Sequence, residues 1–149
     1  MLDTIKKWGK ILLPLIVGGI TSVIISPSMD YDKVIQPPLS PPKIVFPIAW
    51  TILYFLIGLS YYLYEKDYKN KIKKLYIIHL ILNYTWTILF FSLKLRGLAI
   101  IWIISIIITL IFIMLEYYKT KKISFYMLIP YLIWLIFATY LNIGVYALN

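Results

Sequence analysis

The sequence is poor in the residue types that most catalytic and metal sites require. Among its 149 residues it has no cysteine, one histidine and six acidic residues. The absence of cysteine excludes disulfide bonds, thiolate metal sites and cysteine nucleophiles. One histidine has no second imidazole with which to share a metal ion. The apolar stretches also lack paired carboxylates, buried bases and a glycine-rich phosphate loop, so neither a proton-coupled pump nor a nucleotide-driven transporter is expected.

Apolar and aromatic residues dominate what remains. Hydrophobic residues make up 62% of the chain, aromatic residues 17% and charged residues only 14%. A soluble domain is about half apolar and about a quarter charged, so the composition excludes an ordinary water-soluble globule. It equally excludes a disordered chain, because such chains are poor in apolar and aromatic residues.

The charged residues divide the chain into five charge-free stretches of 19 to 27 residues. About 20 helical residues cross a hydrocarbon core, so each stretch is long enough to span a membrane. We therefore predict an all-α integral membrane protein, a five-transmembrane-helix bundle that forms one domain over residues 1–149. The predicted spans are residues 11–29, 44–64, 75–93, 97–115 and 125–146.

The net charge of +9 is explained by membrane topology and predicts no nucleic-acid partner. The N-terminal segment and the segments 65–74 and 116–122 together carry eleven basic residues, whereas the opposite side carries four. By the positive-inside rule the N-terminus is cytoplasmic and the C-terminus lies outside. The first apolar run lacks a small-residue cleavage site, which favours an uncleaved helix over a signal peptide. The abundance of Ile, Lys, Tyr and Asn is typical of a bacterial cell-membrane protein.

The loop at residues 30–43 is the longest connection and has four prolines in its second half. Proline fixes φ and removes an amide donor, which favours a stiff, extended segment. Such a segment is either a lid over a pocket or a rigid connector, and the residues alone leave both interpretations open. Lys33 and Lys43 in this loop are either solvated or able to meet acidic groups of a ligand.

Three predicted helices present aromatic stripes at helical spacing. The stripes are Phe46, Trp50 and Leu53 or Tyr54 on the second helix, His79, Asn83, Trp86 and Phe90 on the third, and Tyr131, Trp134, Ala138 and Asn142 on the fifth. Aromatic faces with a few polar groups suit a flat, mostly apolar ligand. Asn83 and Asn142 serve equally well as interhelical hydrogen-bonding groups. His79 is expected to be solvated near the headgroups or packed between helices rather than bound to metal.

Other features favour packing and anchoring over ligand binding. Aromatic residues near the predicted helix ends are expected to anchor the chain at the membrane interfaces, namely Trp8, Tyr61, Tyr62, Tyr64, Tyr117 and Tyr118. Gly18, Ser22 and Ser26 are spaced for close helix approach, which is a packing signal. The fourth span lacks Asn and is expected to face lipid or a second protomer.

Through these motifs the chain resembles, along nearly its full length, the family of translocator proteins or tryptophan-rich sensory proteins. Its members were formerly called peripheral-type benzodiazepine receptors. The resemblance rests on motifs in the order in which the family has them: Tyr31-Asp32 and Pro41-Pro42, Trp50 with Leu53-Tyr54, Leu82-Asn83 with Trp86 and Leu89-Phe90-Phe91, and Pro130-Tyr131-Leu132 with Trp134, Phe137-Ala138-Thr139 and Leu141-Asn142.

The resemblance implies a five-helix bundle, often a homodimer, that binds tetrapyrroles such as protoporphyrin IX or haem-like molecules. It implies no resident cofactor and no metal site, since the tetrapyrrole is a ligand. The implied ligand-binding residues are Tyr31, Pro41, Trp50, Tyr54, Asn83, Trp86, Phe90, Trp134 and Ala138, with Leu141 and Asn142 deeper or at the packing edge.

The sequence departs from the family pattern in three places. Leu39 and Ile44 replace tryptophans that many members carry beside the proline pair, and Pro47 lies one residue earlier than usual. The C-terminal tail has no base after its tyrosine, which counts against cholesterol recognition through that pattern.

Three roles remain open after the sequence alone. The first is binding of tetrapyrroles and related hydrophobic molecules for transport, sequestration or sensing. The second is a light- and oxygen-dependent breakdown of porphyrin that would use Trp50 and Trp134. The third is a membrane scaffold that acts through protein partners.

Overall fold

The computed structural model describes residues 1–149 and contains five long helices and no strands. All five helices are long and apolar enough to cross a membrane, which confirms the predicted all-α integral membrane fold. The helices are α1 (Leu2–Ile25), α2 (Val45–Tyr68), α3 (Lys73–Thr87, continued by a π-helical turn at Ile88–Ser92), α4 (Arg96–Thr120) and α5 (Lys122–Leu148).

The helices extend beyond the charge-free stretches at most ends. α1 begins nine residues before the predicted span and already contains Lys6, Lys7 and Lys10. α4 continues through Thr120, so that Lys121 alone separates it from α5. Charged residues stay helical here because helix ends that lie outside hydrocarbon can place their charges in water. One such charge, on Lys10, forms an ion pair with Glu65 of α2.

The bundle is a closed ring in which α1 packs on α2, α2 on α5, α5 on α4, α4 on α3, and α3 on α1. The α1–α2 contact depends on a glycine, since a Cβ atom at Gly58 would overlap the backbone carbonyl of Ile11. Side chains of α4 that face the ring are fully buried, among them Ala99 and Ile103. Only the outer face of α4 is exposed, with Ile101 and Phe112, so this face alone is available to lipid or a second protomer.

The loop between α1 and α2 folds back over one end of the ring. We call residues 30–43 the lid and that end of the bundle the lid end. Pro37 is buried against Gly144 of α5, where a Cβ atom would meet the proline ring. Tyr140 of α5 donates a 2.7 Å hydrogen bond to the carbonyl oxygen of Pro38, and the amide nitrogen of Ile35 donates to Asn149 Oδ1 at 2.9 Å. The lid is thus held along the last turns of α5.

Three of the tyrosines that were expected at the membrane interface lie in the core instead. Tyr61, Tyr64 and Tyr117 are at most 6% exposed. Tyr61 stacks on Tyr76 with ring centroids 3.8 Å apart, and Tyr64 lies 4.9 Å from Tyr117. The helices run past the predicted ends of the spans, so these rings meet neighbouring helices rather than headgroups. Trp8 and Tyr118 are about half exposed, as anchoring residues would be.

Candidate functional site

The ring of helices encloses one large cavity beneath the lid, with a volume of about 590 Å³. Its walls come from α1, α2, α3, α5 and the lid, and they are mostly apolar. The volume falls within the range of about 300–1,000 Å³ that is typical of small-molecule sites. Nine of the eleven predicted ligand-binding residues line it: Tyr31, Trp50, Tyr54, Trp86, Phe90, Trp134, Ala138, Leu141 and Asn142.

Three tryptophans form the aromatic centre of the cavity. The Trp50 ring lies 6.5 Å from Trp86 and 6.4 Å from Trp134, measured between ring centroids. Trp50 also stacks on Tyr54 at 5.2 Å, and Trp86 stacks on Phe90 at 5.5 Å. The three helices that carry the predicted stripes therefore turn the tryptophans of those stripes toward the same space.

Several polar atoms of the cavity-lining side chains have no hydrogen-bond partner within the protein. The indole nitrogens of Trp86 and Trp134 are buried and unpaired, and so are both polar atoms of the Asn142 amide. Leaving such a buried group unpaired costs about 1–3 kcal/mol. These atoms also have almost no surface facing the cavity, so a ligand would pair with them only after the side chains turn toward it.

Asn83 does not line the cavity, contrary to its assignment as a ligand contact. It is 1% exposed, and both ends of its amide are already paired. The Tyr54 hydroxyl donates to Asn83 Oδ1 at 2.6 Å, and Asn83 Nδ2 donates to the Tyr131 hydroxyl at 2.6 Å. Of the two roles that the sequence left open for Asn83, the structure thus selects interhelical hydrogen bonding.

Pro41 is the second predicted contact that lies outside the cavity wall. Its carbonyl oxygen accepts a hydrogen bond from the hydroxyl of Tyr31, which itself lines the cavity. Tyr31 further packs edge-on against Phe46, with ring centroids 5.4 Å apart. Pro41 therefore positions a lining residue and does not face the cavity.

The lid contributes charged residues to the rim of the cavity. Lys43 lines it and pairs with Asp32 at 3.0 Å, whereas Lys33 is exposed and outside the wall. Asp30 also lines the cavity and pairs with Arg96 at 2.7 Å and with Lys94 at 3.3 Å. The Arg96 side chain is only 15% exposed, and Arg96 lies just before the fourth charge-free stretch.

His79 lies below the cavity and is neither solvated nor near a metal-binding cluster. Only 1% of it is exposed, and its ring nitrogens lie 2.8 Å from Thr109 Oγ1 and 3.0 Å from the Tyr131 hydroxyl. The packing interpretation of this residue is correct, and its pairing with Tyr131 links it to Asn83 and Tyr54.

α1 supplies a wall of the cavity that sequence reasoning missed. The lining residues from this helix and the turn after it are Gly18, Thr21, Ser22, Ile25 and Ser26. The signal was present as small residues at four-residue spacing, but it was interpreted as helix packing alone. Both uses occur together, because Gly18 lies directly against the Tyr54 ring and leaves room for it beside the cavity.

Comparison with known proteins assigns this architecture. The model of the TspO/MBR family matches residues 10–148. The chain belongs to this family. It is 35% identical to the tryptophan-rich protein TspO of Archaeoglobus fulgidus, over 99% of each chain. It is also similar to the tryptophan-rich sensory protein of Cereibacter sphaeroides (30% identity over 87% of this chain and 82% of the relative) and to the human translocator protein (29% identity over 80% and 74%).

Membership of the TspO/MBR family confirms the resemblance that the motifs indicated and the multi-pass membrane character of the chain. Two of these relatives are named a sensory protein and a translocator protein. Their names state no ligand, so the ligand of this chain must be argued from its own cavity.

Proposed function

We propose that this protein binds a tetrapyrrole, such as protoporphyrin IX, in the cavity beneath the lid. The observation that carries this proposal is the meeting of Trp50, Trp86 and Trp134 around a space of about 590 Å³. A porphyrin offers large π faces for indole and phenyl rings to contact and buries much apolar surface in doing so. The site accordingly suits a role in sequestering, transporting or sensing such a molecule.

The polar groups of the site match the periphery of such a ligand. The two indole N–H groups and the Asn142 amide lack partners within the protein, and after turning toward the cavity they would donate to the carboxylate side chains of a porphyrin. Lys43 at the rim can pair with a propionate once it leaves Asp32, because that ion pair is exposed on both sides and hence weak. The wall thus supplies an apolar slot, and the rim supplies one lysine that is able to pair with an acidic group of the ligand.

A dark titration of the purified protein in detergent with protoporphyrin IX, followed through the porphyrin absorbance band, tests the proposal. The test protein is a double variant that carries Trp50→Phe and Trp134→Phe. The control is Trp8→Phe, which removes an exposed indole far from the cavity. We expect saturable binding that weakens at least about tenfold, or about 1.4 kcal/mol, in the double variant and is unchanged in Trp8→Phe.

Other outcomes would contradict the proposal. Absorbance that never saturates, or that is the same in all three proteins, means that porphyrin dissolves in the micelle without using this site. Equal weakening by Trp8→Phe would assign the effect to the membrane-anchoring residues instead.

A further inference from the structure

A continuous chain of hydrogen bonds leads from the cavity wall into the bundle. It runs from the hydroxyl of Tyr54 to Asn83, from Asn83 to the hydroxyl of Tyr131, and from there to His79 and Thr109, with donor–acceptor distances between 2.6 and 3.0 Å. Only its first member lines the cavity. The remaining members are held between α3, α4 and α5.

With the Asn83 amide oxygen facing the Tyr54 hydroxyl and its nitrogen facing Tyr131, the direction of each remaining hydrogen bond in this chain follows from the available donors. Tyr131 accepts from Asn83 Nδ2, so its own hydroxyl hydrogen needs an acceptor, and Tyr131 is fully buried. The remaining neighbour is Nε2 of His79, at 3.0 Å, so that nitrogen must accept. His79 then carries its hydrogen on Nδ1 and donates it to Thr109, whose hydroxyl donates in turn to the carbonyl oxygen of Ile106 at 2.9 Å.

Two tyrosines next to the same tryptophan therefore differ in one chemical respect. The ring centroid of Trp50 lies 5.2 Å from that of Tyr54 and 6.3 Å from that of Tyr131. The Tyr54 hydroxyl donates to an amide oxygen, which is a very weak base, whereas the Tyr131 hydroxyl donates to an imidazole nitrogen, which can keep a proton. Oxidation of a tyrosine releases its phenolic proton, so only Tyr131 is provided with an acceptor for it.

We propose that Tyr131 and His79 form a redox relay that reduces an oxidised Trp50. Tyr131 supplies the electron and His79 takes the proton. This inference rests on the proposed function, because it uses a light-absorbing tetrapyrrole in the cavity as the oxidant. The photoexcited ligand takes one electron from Trp50, which leaves a ligand radical anion and a Trp50 radical cation. Tyr131 then gives one electron to Trp50 and its hydroxyl proton to His79 Nε2, so that the O–H bond breaks and an N–H bond forms.

The products balance in charge and electrons. Trp50 is restored, Tyr131 becomes a neutral radical, and His79 becomes an imidazolium that donates to the Tyr131 oxygen. Dioxygen takes the extra electron from the ligand radical anion and becomes superoxide. The positive charge moves from the partly buried Trp50 to His79, which is 1% exposed, so the step bears a desolvation cost. The oxidised residue is then Tyr131, which lies outside the cavity wall and is separated from the ligand.

The test uses ligand-free protein in detergent, so that failure of tetrapyrrole binding cannot be mistaken for failure of the relay. An ultraviolet flash ionises tryptophan directly, and transient absorption follows the tryptophan radical and the tyrosyl radical that replaces it. We expect a fast conversion that disappears in Trp50→Phe and in Tyr131→Phe. The matched control, Tyr84→Phe, should keep it, because the Tyr84 hydroxyl donates to the carbonyl oxygen of Pro14 and belongs neither to the cavity wall nor to this chain of hydrogen bonds.

Two readouts distinguish the relay from a structural role of the same residues. His79→Gln keeps a hydrogen-bonding group but removes the base, and it should slow the conversion at least tenfold; deuterium oxide should slow it in the wild type. Fluorotyrosine placed at position 131 keeps the hydroxyl and its neighbours, and its fluorine should split the electron paramagnetic resonance signal of the radical. This second approach serves if Tyr131→Phe fails to fold.

Each alternative result would overturn the relay. Conversion that survives in Tyr131→Phe would place the radical elsewhere among the 14 tyrosines, and so would a radical signal without fluorine splitting. Loss of the conversion in Tyr84→Phe would have the same meaning. A rate that is unchanged in His79→Gln and in deuterium oxide would show that the imidazole does not take the proton.

Discussion

Arg96, the first residue of α4, donates a 2.7 Å hydrogen bond from Nη2 to Oδ2 of Asp30, at the start of the lid. The side chains of Arg96 and Asp30 are 15% and 13% exposed. The lid also carries a second ion pair, Lys43 with Asp32, whose side chains are 58% and 74% exposed. The two pairs join oppositely charged groups at similar distances but differ greatly in contact with water.

We predict that the Asp30–Arg96 pair stabilises the closed lid and the Asp32–Lys43 pair does not. A double-mutant cycle of Asp30→Asn with Arg96→Gln should give a coupling energy of about 1–3 kcal/mol, because its partly buried charges are little screened. The control cycle of Asp32→Asn with Lys43→Gln should give about 0–1 kcal/mol. Unfolding titrations in detergent measure both, and equal coupling in the two cycles would refute the distinction.

A second prediction concerns the contact between α1 and α2 at Gly58. A methyl group there would overlap the carbonyl of Ile11, which is backbone and cannot rotate away. We expect Gly58→Ala to lower the free energy of unfolding by about 1–3 kcal/mol, as overpacking of a filled interior does. Gly9→Ala is the control, since nothing lies within 4 Å of the added atom. If the two variants unfold alike, the helices do not approach as closely as described.

The fold was predictable because its main determinant is local. Charges are excluded from hydrocarbon, so their positions alone separate five spans, and the short link around Lys94 requires antiparallel neighbours. The ends of the helices were not predictable to the same degree. The helices continue past the hydrocarbon boundary, and this extension brings Tyr64 and Tyr117 against each other in the core.

The candidate site was predictable in its aromatic residues but not in its amides. Asn83 and Asn142 each lie on a helix face that carries a tryptophan, so spacing treats them alike. Their roles depend on which hydroxyls neighbouring helices place beside them. Asn83 meets Tyr54 and Tyr131, whereas Asn142 meets no polar group of the protein. Such partners are far apart in sequence, and one helical pattern cannot reveal them.

This difference between the two amides gives the third prediction. Asn83→Leu leaves the buried hydroxyls of Tyr54 and Tyr131 short of a partner, and we expect a loss of about 1–3 kcal/mol in the free energy of unfolding. Asn142→Leu removes an amide that has no partner within the protein, so it should leave stability unchanged or raise it. Unfolding titrations without ligand measure both. A larger loss in Asn142→Leu would mean that its amide is paired after all.

The last prediction tests whether Gly18 keeps the cavity open. A Cβ atom at this position would overlap the ring of Tyr54, which would have to move from its place between α1 and Asn83. Because Tyr54 stacks on Trp50, the movement would disturb the aromatic wall. We expect Gly18→Ala to weaken protoporphyrin IX binding at least about tenfold. Gly19→Ala, one residue along and with nothing within 4 Å of its added atom, should bind like the wild type. Full affinity in Gly18→Ala would show that ligand does not contact this part of the cavity.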